Sequence, residues 1–297
     1  MSFSDGGSSA GVSAAYWLAV GTARCRDLLQ QEATGFERVV RFHRDRVREG
    51  AAPEVDLLRI ELERDRLVTA ARTSGQDAER ARISLFREMG KTEFPAVEFA
   101  DALEQVSVVE PIPLAQILLQ RPEMQLARQA IEQAEANLRL QQANAKTDPD
   151  VQVGYKRTAG LSLTGPEAFN TIYGSIQIPL AIRNRNQGQI AAAGADIKAT
   201  QSSLAAATAL VRAEVESATL DYRSRKKLLA ETLQPMRDRA DEVYKIADAA
   251  YREGGSDILR LLDAERTRIE TQLAYVRTLA ELQQSAVALA TAQGSLK

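Results

Sequence analysis

The chain has 297 residues, of which 44% are hydrophobic and 26% are charged, so it can bury a sizeable core. Its 38 basic and 40 acidic residues give a net charge of −2, so the chain has no net positive charge to attract nucleic acid, and we expect no nucleic-acid partner. One cysteine permits no internal disulfide, and one cysteine with one histidine cannot build an ordinary transition-metal site.

The sequence contains no recognisable catalytic motif. No nucleophile is paired with a base, and no glycine-rich loop follows a predicted strand. We therefore expect no enzyme activity, no cofactor and no bound metal. The single histidine, His43, is expected to be a solvated helix residue, since no second metal ligand lies near it in the sequence.

The first 20 residues have neither the pattern of a signal peptide nor that of a membrane helix. No charged segment precedes an apolar core, as it would in a signal peptide. The apolar stretch at residues 14–20 is far shorter than the ~20 residues that a membrane helix needs. Taken alone, this start predicts a soluble chain, but the later segments indicate otherwise.

Residues 1–90 are predicted to form a helical hairpin, because they repeat a later part of the chain. Chance matches between two helices rich in Ala, Leu, Glu and Arg are the alternative, but glycines 40 residues apart in both copies favour a duplication. A shift of 204 positions aligns Arg48-Glu49-Gly50 with Arg252-Glu253-Gly254, Leu57-Leu58 with Leu261-Leu262, Glu61 with Glu265, Arg64 with Arg268 and Gly90 with Gly294.

A second, more complete repeat is predicted over residues 121–297. Residues 91–120, which contain Pro95, Pro111 and Pro113, are expected to form an irregular equatorial connector before it. The repeat then opens with a breaker-free helix over residues 121–146, with a proline in its first turn, where proline is tolerated.

The periodicity changes from helical to alternating after residue 150. Two runs with a period of two, joined by residues 159–169, predict a β-hairpin over residues 151–180 with one apolar face. Two strands are marginal alone, but strands of about 9–11 alternating residues suit a transmembrane barrel, so we expect an oligomeric membrane β-barrel. The apolar residues are Val151, Val153, Tyr155, Ile172, Ile176 and Ile178.

A helical hairpin is predicted over residues 186–294. Apolar residues in the first arm follow the a/d spacing of packed helices, and residues 186–250 would form a helix of roughly 95–100 Å. Pro235 is expected to kink it. Gly254 suits the end of this arm and Asp257 the start of the next, whose two apolar stripes predict packing against neighbours on two sides.

These elements, over about residues 15–294, resemble the outer-membrane efflux protein family, the TolC-like channels of tripartite pumps. The Pro-Leu pair and the Arg-Asn-Gln-Gly run are similar to the heavy-metal (CzcC/CusC-type) branch, which serves cobalt–zinc–cadmium or copper–silver exporters. The motifs are Asp148-Pro149-Asp150, Ile178-Pro179-Leu180, Arg185-Asn186-Gln187-Gly188 and Tyr251-x-x-Gly254.

The resemblance implies a mainly α fold, in which long coiled-coil hairpins form part of an α-barrel and the β-hairpin joins an oligomeric membrane barrel. It implies a homotrimer in the cell outer membrane with a periplasmic helical tunnel. The implied partners are a periplasmic adaptor protein and an inner-membrane proton-driven pump. In this branch the channel would be a passive export duct for heavy-metal cations, with no nucleic-acid partner.

The resemblance also makes the two helical turns the tips that close the tunnel entrance and meet the adaptor. Arg260 departs from the family pattern, in which an acidic residue often lies one turn before the position of Asp263. By default these side chains are helix caps or surface charges. The candidate tip residues are Tyr251, Arg252, Gly254, Asp257, Arg260 and Asp263 in the second turn, and Arg48 and Gly50 in the first.

The 204-residue shift predicts that the first repeat is incomplete, because the counterparts of residues 121–186 would lie before residue 1. We therefore expect an N-terminally truncated family member whose signal peptide is missing. Two alternatives stay open: a periplasmic adaptor, which would need more β structure, and a coiled-coil scaffold without channel activity, which leaves the alternating hairpin unexplained.

Overall fold

A computed structural model describes residues 9–105, 108–146, 148–162, 165–178 and 184–295. Over these residues the chain is mainly helical with one two-stranded antiparallel sheet, which confirms the predicted fold class. The elements are α1 (Ser9–Arg48), α2 (Glu54–Glu88), α3 (Leu114–Gln120), α4 (Pro122–Asn144), β1 (Asp150–Ser162), β2 (Gly165–Gln177), α5 (Gln187–Leu228), a π-helical turn (Leu229–Leu233), α6 (Gln234–Arg252) and α7 (Ile258–Ala292).

The chain divides into two compact units. The first contains Met1–Ile117 and Val211–Lys297, and the second contains Leu118–Leu210. In the first unit α1 packs against α2 on one side and α7 on the other, and α7 also packs against α6. The helices therefore follow each other in the order α2, α1, α7, α6.

The core of the first unit is built from one face of each helix. Leu29, Ala33, Phe36 and Val40 of α1 are buried at spacings of three and four, which is the period of a helix face. The residues that pack with them are Ile60, Leu67 and Ala71 of α2 and Ile258, Leu261 and Ile269 of α7.

The two helical hairpins of this unit have matching helix ends. In each hairpin the outgoing helix ends, and the return helix begins and ends, at positions that differ by the same 204 residues. The pairs of ends are Arg48 and Arg252, Glu54 and Ile258, and Glu88 and Ala292.

The aligned glycines have the same backbone conformation. Gly50 has φ 73° and Gly254 has φ 77°, a left-handed conformation that side chains other than glycine disfavour. The N–H of Ala51 donates to the Arg46 carbonyl at 2.8 Å, and in the second turn the N–H of Gly255 donates to the Ala250 carbonyl, also at 2.8 Å. Both turns are therefore Schellman-type helix ends.

The long first arm of the second hairpin, which contains Pro235, is helical from Gln187 to Arg252. A π-helical turn, Leu229–Leu233, comes just before the proline, and the Gln234 N–H bonds the Leu229 carbonyl. This wider turn replaces the four-residue bonding at the point where proline lacks an N–H donor. The connector also differs from the irregular one predicted, since it contains α3.

The β-hairpin in the second unit is longer than predicted. Both strands have 13 residues, and pairing continues through residues 159–162, which we had expected to be loop. Antiparallel backbone bonds do not require alternating apolar side chains, so the pairing outlasts the sequence pattern. Ile178 lies just after β2 rather than within it, and Pro179 and Leu180 of the family motif lie outside the described residues.

Asn186 connects the two helices that come before and after this hairpin in the sequence. Asn186, just before α5, has φ 59°, and its side-chain amide donates to the Gln141 carbonyl of α4 at 2.9 Å. Asparagine tolerates the left-handed conformation better than most residues. The residue just before α5 is thus hydrogen-bonded to the last turn of α4.

Candidate functional site

The two predicted tips meet in the first unit through a shared core. Tyr251, at the end of α6, and Leu57, at the start of α2, both pack against the cluster formed around Val40 and Phe36. The glycines at the turns, Gly50 and Gly254, are themselves exposed. The structure therefore brings the end of each hairpin to the same part of the unit, and α1 and α7 lie between them.

The closest link between the hairpins is a pair of rings, His43 of α1 and Tyr251 of α6. The His43 ring is 2% exposed, its Nε2 is hydrogen-bonded to the Tyr251 hydroxyl, and the rings stack with centroids 5.5 Å apart. The Nδ1 atom lies 2.9 Å from the Val39 carbonyl oxygen. Burial raises the pKa of Tyr251, which keeps its hydroxyl protonated.

The prediction of a solvated His43 is wrong. Helical periodicity places His43 on the apolar face of α1, which continues the buried series that includes Phe36 and Val40. The second hairpin packs onto that face, so the histidine lies between helices instead of in water. This packing partner is about 200 residues away in the sequence, which is why a local pattern could not identify it.

Several predicted tip residues act as ordinary caps or surface pairs. The Asp257 carboxylate accepts the N–H of Arg260 at 3.1 Å and so caps α7. Arg252 pairs with Asp248 at 2.9 Å, one turn earlier on the same helix. Arg48 pairs with its neighbour Asp45 in the same way, also at 2.9 Å, and is largely exposed.

Arg260 and Asp263 lie along a separate groove between α6 and α7. This groove has a volume of about 590 Å³, and its apolar wall includes Val243 and Ile246 of α6. Both of these apolar side chains are more than half exposed. The groove therefore presents an apolar strip beside charged side chains of the second hairpin.

A buried ion-pair network that we did not predict lies further from the tips. Arg268 of α7 bonds Glu32 of α1 at 2.7 Å and Glu265 of α7 at 2.8 Å, and its guanidinium lies 4.6 Å from the ring centre of Tyr244 on α6. Burial raises the pKa of Glu265 despite its Arg268 partner, and burial raises the pKa of Tyr244 to about 12.

The network and the ring pair border one cavity of about 630 Å³ between α1, α6 and α7. The sequence did contain a signal for the network, since Glu265 and Arg268 are two of the positions that the 204-residue shift aligns. That shift identified a repeat but not a site, because the aligned residues Glu61 and Arg64 pair with other side chains, at α1.

Five of the six apolar residues predicted for the membrane hairpin lie on one face of the sheet. Val151 pairs with Ile176, Tyr155 pairs with Ile172, and Val153 lies between them opposite a glycine. Every one of these five apolar side chains is exposed, and Val153 is 81% exposed. An apolar face of this kind indicates a surface that contacts lipid or another chain.

Within the part of the chain that the structure describes, no helix is long and apolar enough to cross a membrane. The same residues contain no cluster of His, Cys, Asp and Glu that could hold a metal ion. The sequence profile of the outer membrane efflux protein family matches residues 114–295. This chain belongs to the outer membrane efflux protein family. Comparison with curated proteins gives no match.

Solved membrane-protein structures share the fold of this efflux family member. A membrane protein from Pseudomonas aeruginosa has a TM-score of 0.79 at 18% identity, covering 96% of this chain and 67% of its own. The open state of the MtrE outer membrane channel of Neisseria gonorrhoeae has a TM-score of 0.78 at 21% identity, and the match covers 97% of this chain and 66% of MtrE. The VceC outer membrane protein of Vibrio cholerae has a TM-score of 0.73 at 16% identity, and the match covers 96% of this chain and 69% of VceC. The chain therefore spans about two thirds of these structures.

Proposed function

We propose that this member of the outer membrane efflux protein family is a subunit of an outer-membrane channel that acts as a passive export duct. The exposed apolar face of the β-hairpin carries this proposal. Strands of 13 residues with one apolar face are long enough to cross the outer membrane, for which about 9–11 residues suffice. Membership of a transport family also supports a function other than catalysis.

The channel assembles as a homotrimer in the cell outer membrane, with its helical hairpins in the periplasm. Both edges of the two-stranded sheet leave backbone donors and acceptors without strand partners among the described residues. Such edges are satisfied when strands of neighbouring chains close a barrel. Its working partners are a periplasmic adaptor protein and an inner-membrane proton-driven pump, in agreement with the family to which the chain belongs.

The cargo that we propose is a heavy-metal cation. The support is the resemblance of Ile178-Pro179-Leu180 and Arg185-Asn186-Gln187-Gly188 to the heavy-metal branch of the family. A duct of this kind needs no metal-ligand set of its own, because the pump supplies the driving force and the selection. The periplasmic adaptor and scaffold alternatives have no observation of their own in their favour.

The tunnel entrance is formed by the two turns and the residues packed behind them. Tyr251 and His43 join the hairpins, and Arg268 holds α7 against α1 at the next level. Opening requires these contacts to separate, which is a change in helix packing. The other residues of this proposed gate are Arg48, Gly50, Arg252, Gly254, Asp257, Arg260 and Asp263.

A pair of adjacent substitutions on β1 tests the channel. The full chain is added to a planar lipid bilayer and conductance is recorded for wild type, Val153→Lys and Gln152→Lys. Val153 lies on the apolar face and Gln152 on the opposite face, paired with Ser175. A lysine at the lipid-facing position costs about 2–4 kcal/mol at the bilayer centre, so only Val153→Lys should abolish insertion.

Stepwise conductance from wild type and Gln152→Lys, with none from Val153→Lys, supports the channel. Two outcomes contradict it: no conductance from any of the three chains, or equal conductance from all three. A cation-selectivity measurement with zinc, cobalt and potassium salts on the same channels then tests the proposed cargo. Zinc or cobalt currents that are absent while potassium passes would contradict a heavy-metal duct.

A further inference from the structure

His43 is the only histidine of the chain, and its two ring nitrogens have different partners. The Nδ1 atom faces the Val39 carbonyl oxygen, which only accepts hydrogen bonds, so Nδ1 carries a proton. In the neutral ring the Nε2 atom therefore has a lone pair and accepts the hydroxyl proton of Tyr251. The direction of both hydrogen bonds is thus fixed as long as the ring is neutral.

A second proton on His43 removes this arrangement. The Nε2 atom then donates instead of accepting, so the Tyr251 hydroxyl must turn and find another acceptor for its own proton. The ring also becomes a cation where 2% of its surface reaches solvent, and a buried charge is costly unless an opposite charge compensates it.

The carboxylates around the two rings are already paired with arginines. Asp248 pairs with Arg252 and Glu265 with Arg268, while Asp56 on α2 lies near Arg59 at 3.7 Å. Among the ion pairs of the described residues, none includes His43. The charged groups that face the rings or line their cavity are Glu32, Arg38 and Arg46 of α1, Asp56 of α2, Asp248 and Arg252 of α6, and Glu265 and Arg268 of α7.

We propose that His43 and Tyr251 form a pH-sensitive latch, which joins α1 to the end of α6 when His43 is neutral and releases it when His43 is protonated. For the consequence, an entrance that opens on acidification, the inference rests on the proposed channel function. The latch itself is a property of the first unit. It links the only histidine of the first hairpin to the tip of the second.

Histidine NMR tests the chemistry of the latch in the full chain. With 15N-histidine labelling, His43 gives one pair of ring-nitrogen signals because no other histidine exists. Measured at pH 8 and at pH 5, the signals should show one protonated and one unprotonated nitrogen where the helices are joined, and two protonated nitrogens where they are released. Two protonated nitrogens at both pH values, or an unprotonated nitrogen at both, would overturn the proposal.

Spin-label distances test the release. Labels are placed at exposed sites by Arg41→Cys on α1 and Lys245→Cys on α6, in a Cys25→Ala background diluted with unlabelled chain. Acidification should increase the ratio of separated to joined helices by up to about tenfold per pH unit, the limit for one proton. In His43→Gln the amide oxygen still accepts from Tyr251 and cannot be protonated, so the short distance should persist at both pH values.

Tyr251→Phe keeps the ring but removes the hydroxyl, so it should give the longer distance at both pH values. A wild-type distance that does not change with pH, or an identical pH response in His43→Gln, would overturn the latch. Bilayer conductance of the same chains separates the two proposals. Distances that change with pH in a chain without conductance contradict the channel alone. A pH-independent conductance shared by wild type and His43→Gln contradicts opening of the entrance by the latch, but not the channel.

Discussion

The two helical turns of the first unit have the same backbone and different side-chain surroundings. Both end on a left-handed glycine, Gly50 or Gly254, with the same pair of backbone hydrogen bonds. The return helix then begins differently, since Asp257 caps α7 with its side chain whereas Pro53 precedes α2 without a side-chain cap. The two turns therefore share their backbone conformation and differ in the side-chain contacts of the helix that follows each turn.

The position of each return helix explains the difference. α7 lies between α1 and α6, while α2 contacts mainly α1. The aligned arginines, Arg64 of α2 and Arg268 of α7, each bond one carboxylate on α1 and one on their own helix. Arg268 also lies against the ring of Tyr244 on α6, and its carboxylate partners are less exposed than those of Arg64. The same repeated sequence therefore gives a buried ion-pair network in the second hairpin and more solvated ion pairs in the first.

The largest expected effect comes from the two arginines. Arg268→Ala leaves Glu265 buried without its cation, which should cost about 3 kcal/mol of unfolding free energy. Arg64→Ala should cost less, because its carboxylate partners are more exposed and water can solvate them. Urea unfolding followed by circular dichroism measures both, and equal losses would show that the two environments do not differ as described.

The backbone conformation of the two turns could be predicted from the sequence better than the side-chain contacts around them. Gly50 and Gly254 were identifiable because a left-handed helix end is a local property that glycine satisfies by itself. The burial of His43 was not identifiable, because it depends on a helix more than 200 residues away. Likewise, the alternation from Val151 identified β1 but not its end, since backbone pairing continues where the side-chain pattern stops.

The glycines should behave alike where the arginines differ. Gly50→Ala and Gly254→Ala should each cost about 1–2 kcal/mol, because alanine at φ 73° or 77° is strained although its Cβ would contact nothing. Gly75→Ala is the matched control, since Gly75 lies within α2 and its Cβ would also meet open space. That substitution should stabilise by about 0.5–1 kcal/mol. Unequal losses at the two turns would break the equivalence of the two backbones.

The smallest expected effect concerns the start of the return helices. Asp257→Ala removes the acceptor for the Arg260 N–H and should cost about 1 kcal/mol. Pro53→Asp places the same carboxylate at the equivalent position, where φ −69° and ψ 143° are compatible with a cap, and should stabilise α2 by up to about the same amount. Thermal unfolding of both variants and of the double variant measures the exchange. A destabilised Pro53→Asp chain would mean that the first turn gains more stability from the rigid backbone of proline than from a side-chain cap. The two turns would then differ in backbone rigidity as well as in side-chain contacts.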